Sequence, residues 1–191
     1  MVQGRPLNRE QWLDEALAVL ADGGHEGLRA EPLSRRLRVS RGSFYWHFAD
    51  VAAFHRAVLE RWEAVAVDRP LAAAARRQGT GGGRLERLID VAFAAPVRLE
   101  RAVHGWAAVN ALAAEAVAAV NRRRLSLLAA MFEESGLPQG RAQASAAVLY
   151  WAYLGRALYP ELPGGAASLA EVKARLGPGG APLRRAKGSP D

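Results

Sequence analysis

Cysteine is absent from the 191 residues. That removes disulfides, thiolate nucleophiles and cysteine zinc sites from consideration. The four histidines show no metal-ligand spacing, so no metal site is expected. No uninterrupted apolar stretch reaches the roughly 18 residues of a membrane span, and the N-terminus has no apolar signal core. A soluble cytoplasmic protein with no membrane partner is the expectation. Internal repeats at solenoid period are missing too. No catalytic constellation stands out, so the chain is not expected to be an enzyme, and no cofactor is implied.

Half of the chain is hydrophobic, dominated by Ala and Leu with few β-branched runs, a composition that favours helix. The net charge of +7 invites a nucleic-acid reading, but its distribution qualifies that reading. Residues 1–67 hold nine Arg against nine acidic residues, and the excess lies beyond them. Locally, however, Arg29, Arg35, Arg36, Arg38 and Arg41 face only Glu31 within thirteen residues. That patch carries the electrostatic argument.

Residues 28–48 read as a helix, a tight turn and a second short helix. Leu33 and Leu37 share a face of the first, and Pro32 suits its opening turn. Ser40 is a good N-cap for the second, spanning residues 41–48. Phe44 and Phe48 fall on one face of that helix. Tyr45, Trp46 and His47, about 100° apart in succession, cannot all turn inward. An exposed aromatic cluster beside arginines needs a partner. Helix-turn-helix proteins present such a second helix to the major groove of double-stranded DNA.

Val39-Ser40 followed by Phe44-Tyr45-Trp46-His47-Phe48 resembles the recognition helix of TetR-type transcriptional regulators. The resemblance runs over about residues 7–66. Two positions depart from it: Arg38 stands where the turn usually has Gly, and Val51 where a Lys is usual. Arg38 there needs an unusual backbone or a remodelled turn. Arg29 replaces the usual Thr or Ser cap. The resemblance implies a three-helix DNA-binding domain over residues 7–50. It also implies a connecting helix over 51–67 and a helical ligand-binding and dimerisation domain over 68–178, ahead of a disordered tail, 179–191. The whole is all-α. Arg41 and Ser43, with Gly42 between them, are the candidate base readers. Tyr45, His47 and Arg29 are candidates to grip the DNA backbone, and Trp46 suits either role.

Elsewhere the pattern is helical. Asn8 and Gln11 form a capping-box pair for a first helix that Gly23-Gly24 ends. Asp50 caps the connecting helix, which Asp68-Arg69-Pro70 is expected to end. Residues 71–83 read as a flexible linker; their glycines lack the Lys-Ser/Thr ending of a phosphate loop. Helices follow near residues 84–95, 97–109, 110–136 and 138–159, with a short capped one at 168–177.

Phe93, His104, Trp106, Tyr150, Trp151 and Tyr153 are candidates to line an apolar ligand cavity, with ordinary packing as the alternative for each. Residues 117, 120, 124 and 128 share a helix face, so Arg124 lies on the apolar stripe. It is expected to snorkel to solvent, the alternative being contact with an anionic ligand. The small residues after 138 permit close helix approach, and the family dimerises through its C-terminal helices. The function implied is a homodimeric repressor released from its operator by a small apolar or aromatic effector. The rival is a helix-turn-helix-derived interaction module whose DNA binding is weakened or lost.

Overall fold

A computed structural model describes residues 7–76 and 83–161. Among these residues the fold is all-α. The elements are α1 (Arg9–Gly23), a 3₁₀ turn (His25–Gly27), α2 (Ala30–Arg36), α3 (Arg41–His47) and α4 (Val51–Glu63). A π-helical turn (Ala64–Asp68) then leads into α5 (Arg69–Arg76), followed by α6 (Arg84–Ala94), α7 (Arg98–Ala107), α8 (Ala111–Glu134) and α9 (Gln139–Leu158).

The helix starts follow from local chemistry. The Asn8 carboxamide accepts from the Gln11 amide and the Gln11 side chain accepts from the Asn8 amide, a complete capping box. Asp50 and Asn110 accept the amide hydrogens of Ala53 and Ala113 at the starts of α4 and α8. Gly24 closes α1, and Gly136, at φ 95°, follows the end of α8 where a side chain would be strained.

Two sequence expectations fail between residues 64 and 83. Pro70 does not end the connecting helix, which passes through the π turn into α5. Proline is tolerated there because the Ala66 carbonyl, four residues back and without its N–H, accepts from the Arg124 guanidinium at 3.1 Å. The expected linker is helical over residues 71–76. Ala74 is buried against α6 and its carbonyl accepts from Arg87 Nε at 3.0 Å. The helix expected at 168–177 and the tail at 179–191 lie outside the described residues.

Burial divides the interior into two clusters. The first joins α1, α2, α3 and α4 to α7 and the first half of α8, through Trp12, Phe44, Phe54, Trp62, Val103 and Trp106. The second joins α5, α6, the end of α8 and α9, through Leu85, Ile89, Met131, Phe132 and Leu149. The helix-turn-helix therefore does not stand apart from the bundle. Helix α1 packs on α7, and Trp106 of α7 lies stacked with His25 and edge-on to His55. No helix among the described residues is long and apolar enough to cross a membrane.

Candidate functional site

Two places carry chemistry: the outer face of α3, and a cavity, partly open to solvent, lined by α4, the π turn, α5, α6, α7, α8 and α9.

Helix α3 is held from behind. Phe44 and Phe48 are buried and meet Phe54 of α4 at ring separations of 5.1 and 4.9 Å, and Phe44 meets Trp12 edge-on at 5.7 Å. Fixing that apolar back turns the opposite face outward. Arg41, Gly42, Tyr45 and Trp46 are exposed, Tyr45 to 46% and Trp46 to 89%. The Arg41 guanidinium lies 3.4 Å from the Tyr45 hydroxyl and over its ring. Ser43 and His47 are half-buried on the flank, His47 beside Trp12. Arg29 is exposed at the N-cap of α2 and makes no side-chain capping bond.

The turn before α3 keeps its tight form with Arg38 in the left-handed region, φ 56°. The Arg38 amide donates to the Arg35 carbonyl and the Val39 amide to the Ser34 carbonyl. The backbone therefore bends as a glycine there would, rather than being remodelled. Ser40 occupies the N-cap position of α3 without a side-chain bond to the helix.

The cationic patch is weaker than the local sequence suggests. Arg35 pairs with Glu31 at 2.8 Å, and Arg36 with Glu15 of α1 and, at 3.7 Å, Asp22. Arg29, Arg38 and Arg41 form no direct ion pair among the described residues, although Glu31 lies close enough to act on the Arg41 charge.

The cavity has a volume of about 160 Å³. Its wall is apolar over Trp62, Leu71, Ile89, Ala92, Leu128 and Leu149, with one polar patch. There Glu100 of α7, 5% exposed, and Arg124 of α8, 12% exposed, form a two-pronged ion pair at 2.6 and 2.9 Å. Arg124 also donates to the Tyr150 hydroxyl at 3.2 Å, and Tyr150 donates to Asn121 Oδ1 at 2.7 Å. The Tyr153 hydroxyl lies 3.4 Å from the second oxygen of Glu100, and His104 Nε2 lies 3.4 Å from the first. Burial alone would raise the Glu100 pKa; the nearby His104 ring and the hydrogen bonds and charge of Arg124 override it and hold the carboxyl at about 2. Burial and the Glu100 charge push the Tyr153 phenol up to about 12, and burial raises Tyr150. Both phenols are therefore neutral donors at pH 7.

Four of the expected cavity residues, Phe93, Arg124, Tyr150 and Tyr153, line this space, and His104, Trp106 and Trp151 do not. Trp106 belongs to the first core, sandwiched near His25 and His55. Trp151 faces away from the cavity on α9, 66% exposed. His104 stands behind Glu100. The expectation that Arg124 snorkels is overturned: a carboxylate on the neighbouring helix, a phenol and the freed Ala66 carbonyl satisfy it inside. Sequence reasoning alone misses Glu100. Its signal was its place on the buried stripe of α7, three residues before Val103 and six before Trp106. Two opposite charges on two buried stripes invite pairing.

Residues 13–58 match the model of a protein family described as bacterial regulatory proteins, tetR family. Over those residues the chain is similar to the N-terminal domain of that family. Solved structures extend the likeness to the whole fold. A transcriptional regulator from Rhodococcus sp. Rha1 aligns with TM-score 0.66 at 21% identity, covering 90% of this chain and 95% of that one. A protein from Saccharomonospora viridis, solved in complex with choline, aligns with TM-score 0.63 at 16% identity over 88% and 92%. The multidrug binding protein EbrR, complexed with imidazole, aligns with TM-score 0.61 at 23% identity over 95% and 98%. At these identities the likeness is one of fold. No curated protein matches the sequence. The matched stretch includes α3, whose arginine and aromatic face is described above.

Proposed function

We propose that the protein is a DNA-binding transcriptional regulator, a repressor that leaves its operator when a small apolar or aromatic effector enters the cavity. The observation that carries the reading is the outward face of α3, where Arg41, Tyr45 and Trp46 stand exposed on a helix whose back is sealed by Phe44 and Phe48. A large exposed tryptophan beside an arginine serves no folding purpose; it suits a groove and the phosphates beside it. Arg41 and Ser43 read base edges, and an Arg–guanine contact is worth about 1–3 kcal/mol of discrimination. Tyr45, His47 and Arg29 grip phosphates, and Trp46 contacts base or sugar.

The division of labour follows the chain: residues 7–50 bind DNA, 51–67 connect, and 68–178 hold the effector and the dimer contact. Val148 and Trp151, exposed on α9 three residues apart, and Tyr159, exposed just past its end, supply an apolar face for a two-fold partner. The cavity is the size of one that holds a benzene ring, about 150 Å³. Because Glu100 and Arg124 already neutralise each other, an uncharged guest leaves no buried charge unpaired. Proteins of similar fold were solved with choline and with imidazole, which supports a ligand-binding role. Release requires that the effector favour one arrangement of the two heads over the other. The route is short, since Trp62 and the Ala66 turn of the connecting helix form part of the cavity wall.

The test is a mobility shift on the duplex upstream of the protein's own gene, repeated with a panel of ring-sized apolar compounds. Salt-sensitive, sequence-selective binding that one of them reverses is the expected result. A protein that binds ligand and dimerises but never duplex DNA would leave the interaction-module reading in its place.

A further inference from the structure

Arg38 is the only residue other than glycine with positive φ among the described residues. An L-side chain in that region is strained where glycine is not, and such strain persists where something else needs the side chain. Nothing in the fold needs this one. The turn is closed by backbone bonds alone, from the Arg38 amide to Arg35 and from the Val39 amide to Ser34. Its guanidinium is exposed and has no acidic partner among the described residues, whereas the adjacent Arg35 and Arg36 are neutralised by Glu31, Glu15 and Asp22. The turn therefore offers one uncompensated charge, two residues before the N-cap of α3 and on a chain segment too short to swing away from it.

We infer that Arg38 is a DNA-backbone contact. Its guanidinium bonds a phosphate oxygen beside the groove that α3 enters, and the strained turn is retained for that charge. The inference rests on the DNA-binding reading and adds to it a residue placed outside the recognition helix. A phosphate contact carries no sequence information, so its loss weakens every duplex alike.

The experiment compares the full-length protein with Arg38→Gly, Arg38→Asn and Arg38→Lys. Urea midpoints are measured, with fluorescence-anisotropy titrations on two unrelated duplexes from about 50 to about 300 mM salt. Glycine and asparagine both tolerate the left-handed backbone, so each variant is expected to keep or raise the midpoint. Each dimer loses two such contacts, one per head, so each variant is also expected to lose about sixtyfold in affinity for both duplexes near 0.1 M salt, with the logarithmic salt slope shallower by about 1.8. Lysine is expected to retain the slope. Unchanged affinity and slope in the glycine and asparagine variants overturn the inference alone, as does a loss that comes with lowered midpoints in both. Failure of the wild-type protein to bind either duplex overturns the DNA reading along with it.

Discussion

Replacing Glu100 by glutamine keeps the shape of the side chain and removes its charge, leaving Arg124 buried opposite a neutral amide. The folded carboxyl is held at about 2 against an ordinary 4.5. A depressed carboxylate pKa adds stability that is complete above the unfolded value and lost as pH falls through the folded one. At about 1.4 kcal/mol per pKa unit, the displacement contributes about 3 kcal/mol at pH 7, about half of that near pH 3 and almost nothing below about pH 1. That agrees with the roughly 3–5 kcal/mol expected when one partner of a buried pair is removed. A protonated Glu100 and a glutamine leave Arg124 in the same position, so the gap between wild type and Glu100→Gln must close with acid. Urea titrations at matched protein concentration, followed by tryptophan fluorescence at pH 7, 5, 4 and 3, read the gap directly. Two results would refute the reasoning: a gap under about 1 kcal/mol at pH 7, or one that does not shrink toward pH 3.

Ala92→Leu adds three carbons to the cavity wall. Ring-sized compounds such as indole should raise the Tm of the wild type but not of this variant, with stability otherwise changed by less than about 1.5 kcal/mol; an undiminished shift in the variant would place their binding elsewhere. Trp151→Glu puts a charge on the exposed face of α9. Sedimentation should show a dimeric wild type and a monomeric variant with unaltered helix content, and a variant that stays dimeric would move the contact to another surface.

What could be read from the sequence was what one helix decides alone. The capping box at Asn8 and Gln11, the buried pair Phe44 and Phe48, and the awkward backbone at Arg38 each depend on residues within a few positions of one another. What could not be read depends on which helices become neighbours. Arg35 and Arg36 look like a bare cationic patch until α1 brings Glu15 and Asp22 beside Arg36 and Glu31 pairs with Arg35. Arg124 looks bound for solvent until α7 sets Glu100 against it. Pro70 looks like a stop signal, but the carbonyl it orphans finds a donor on α8. His104, Trp106 and Trp151 were attractive by residue type, while face decided the matter: one backs a carboxylate, one fills the first core and one looks outward.

The most direct test of the account is the affinity of wild type, Arg41→Ala and Tyr45→Ala for the upstream duplex, each measured across a salt series. Arg41 and Tyr45 are exposed and touch each other outside the core, so both variants should fold as the wild type does. The account predicts nanomolar-range, salt-sensitive binding by the wild type. It also predicts a loss of about tenfold or more for Arg41→Ala, largest on the preferred sequence, and a smaller loss for Tyr45→Ala that is the same on every sequence. Binding indifferent to both substitutions would contradict it.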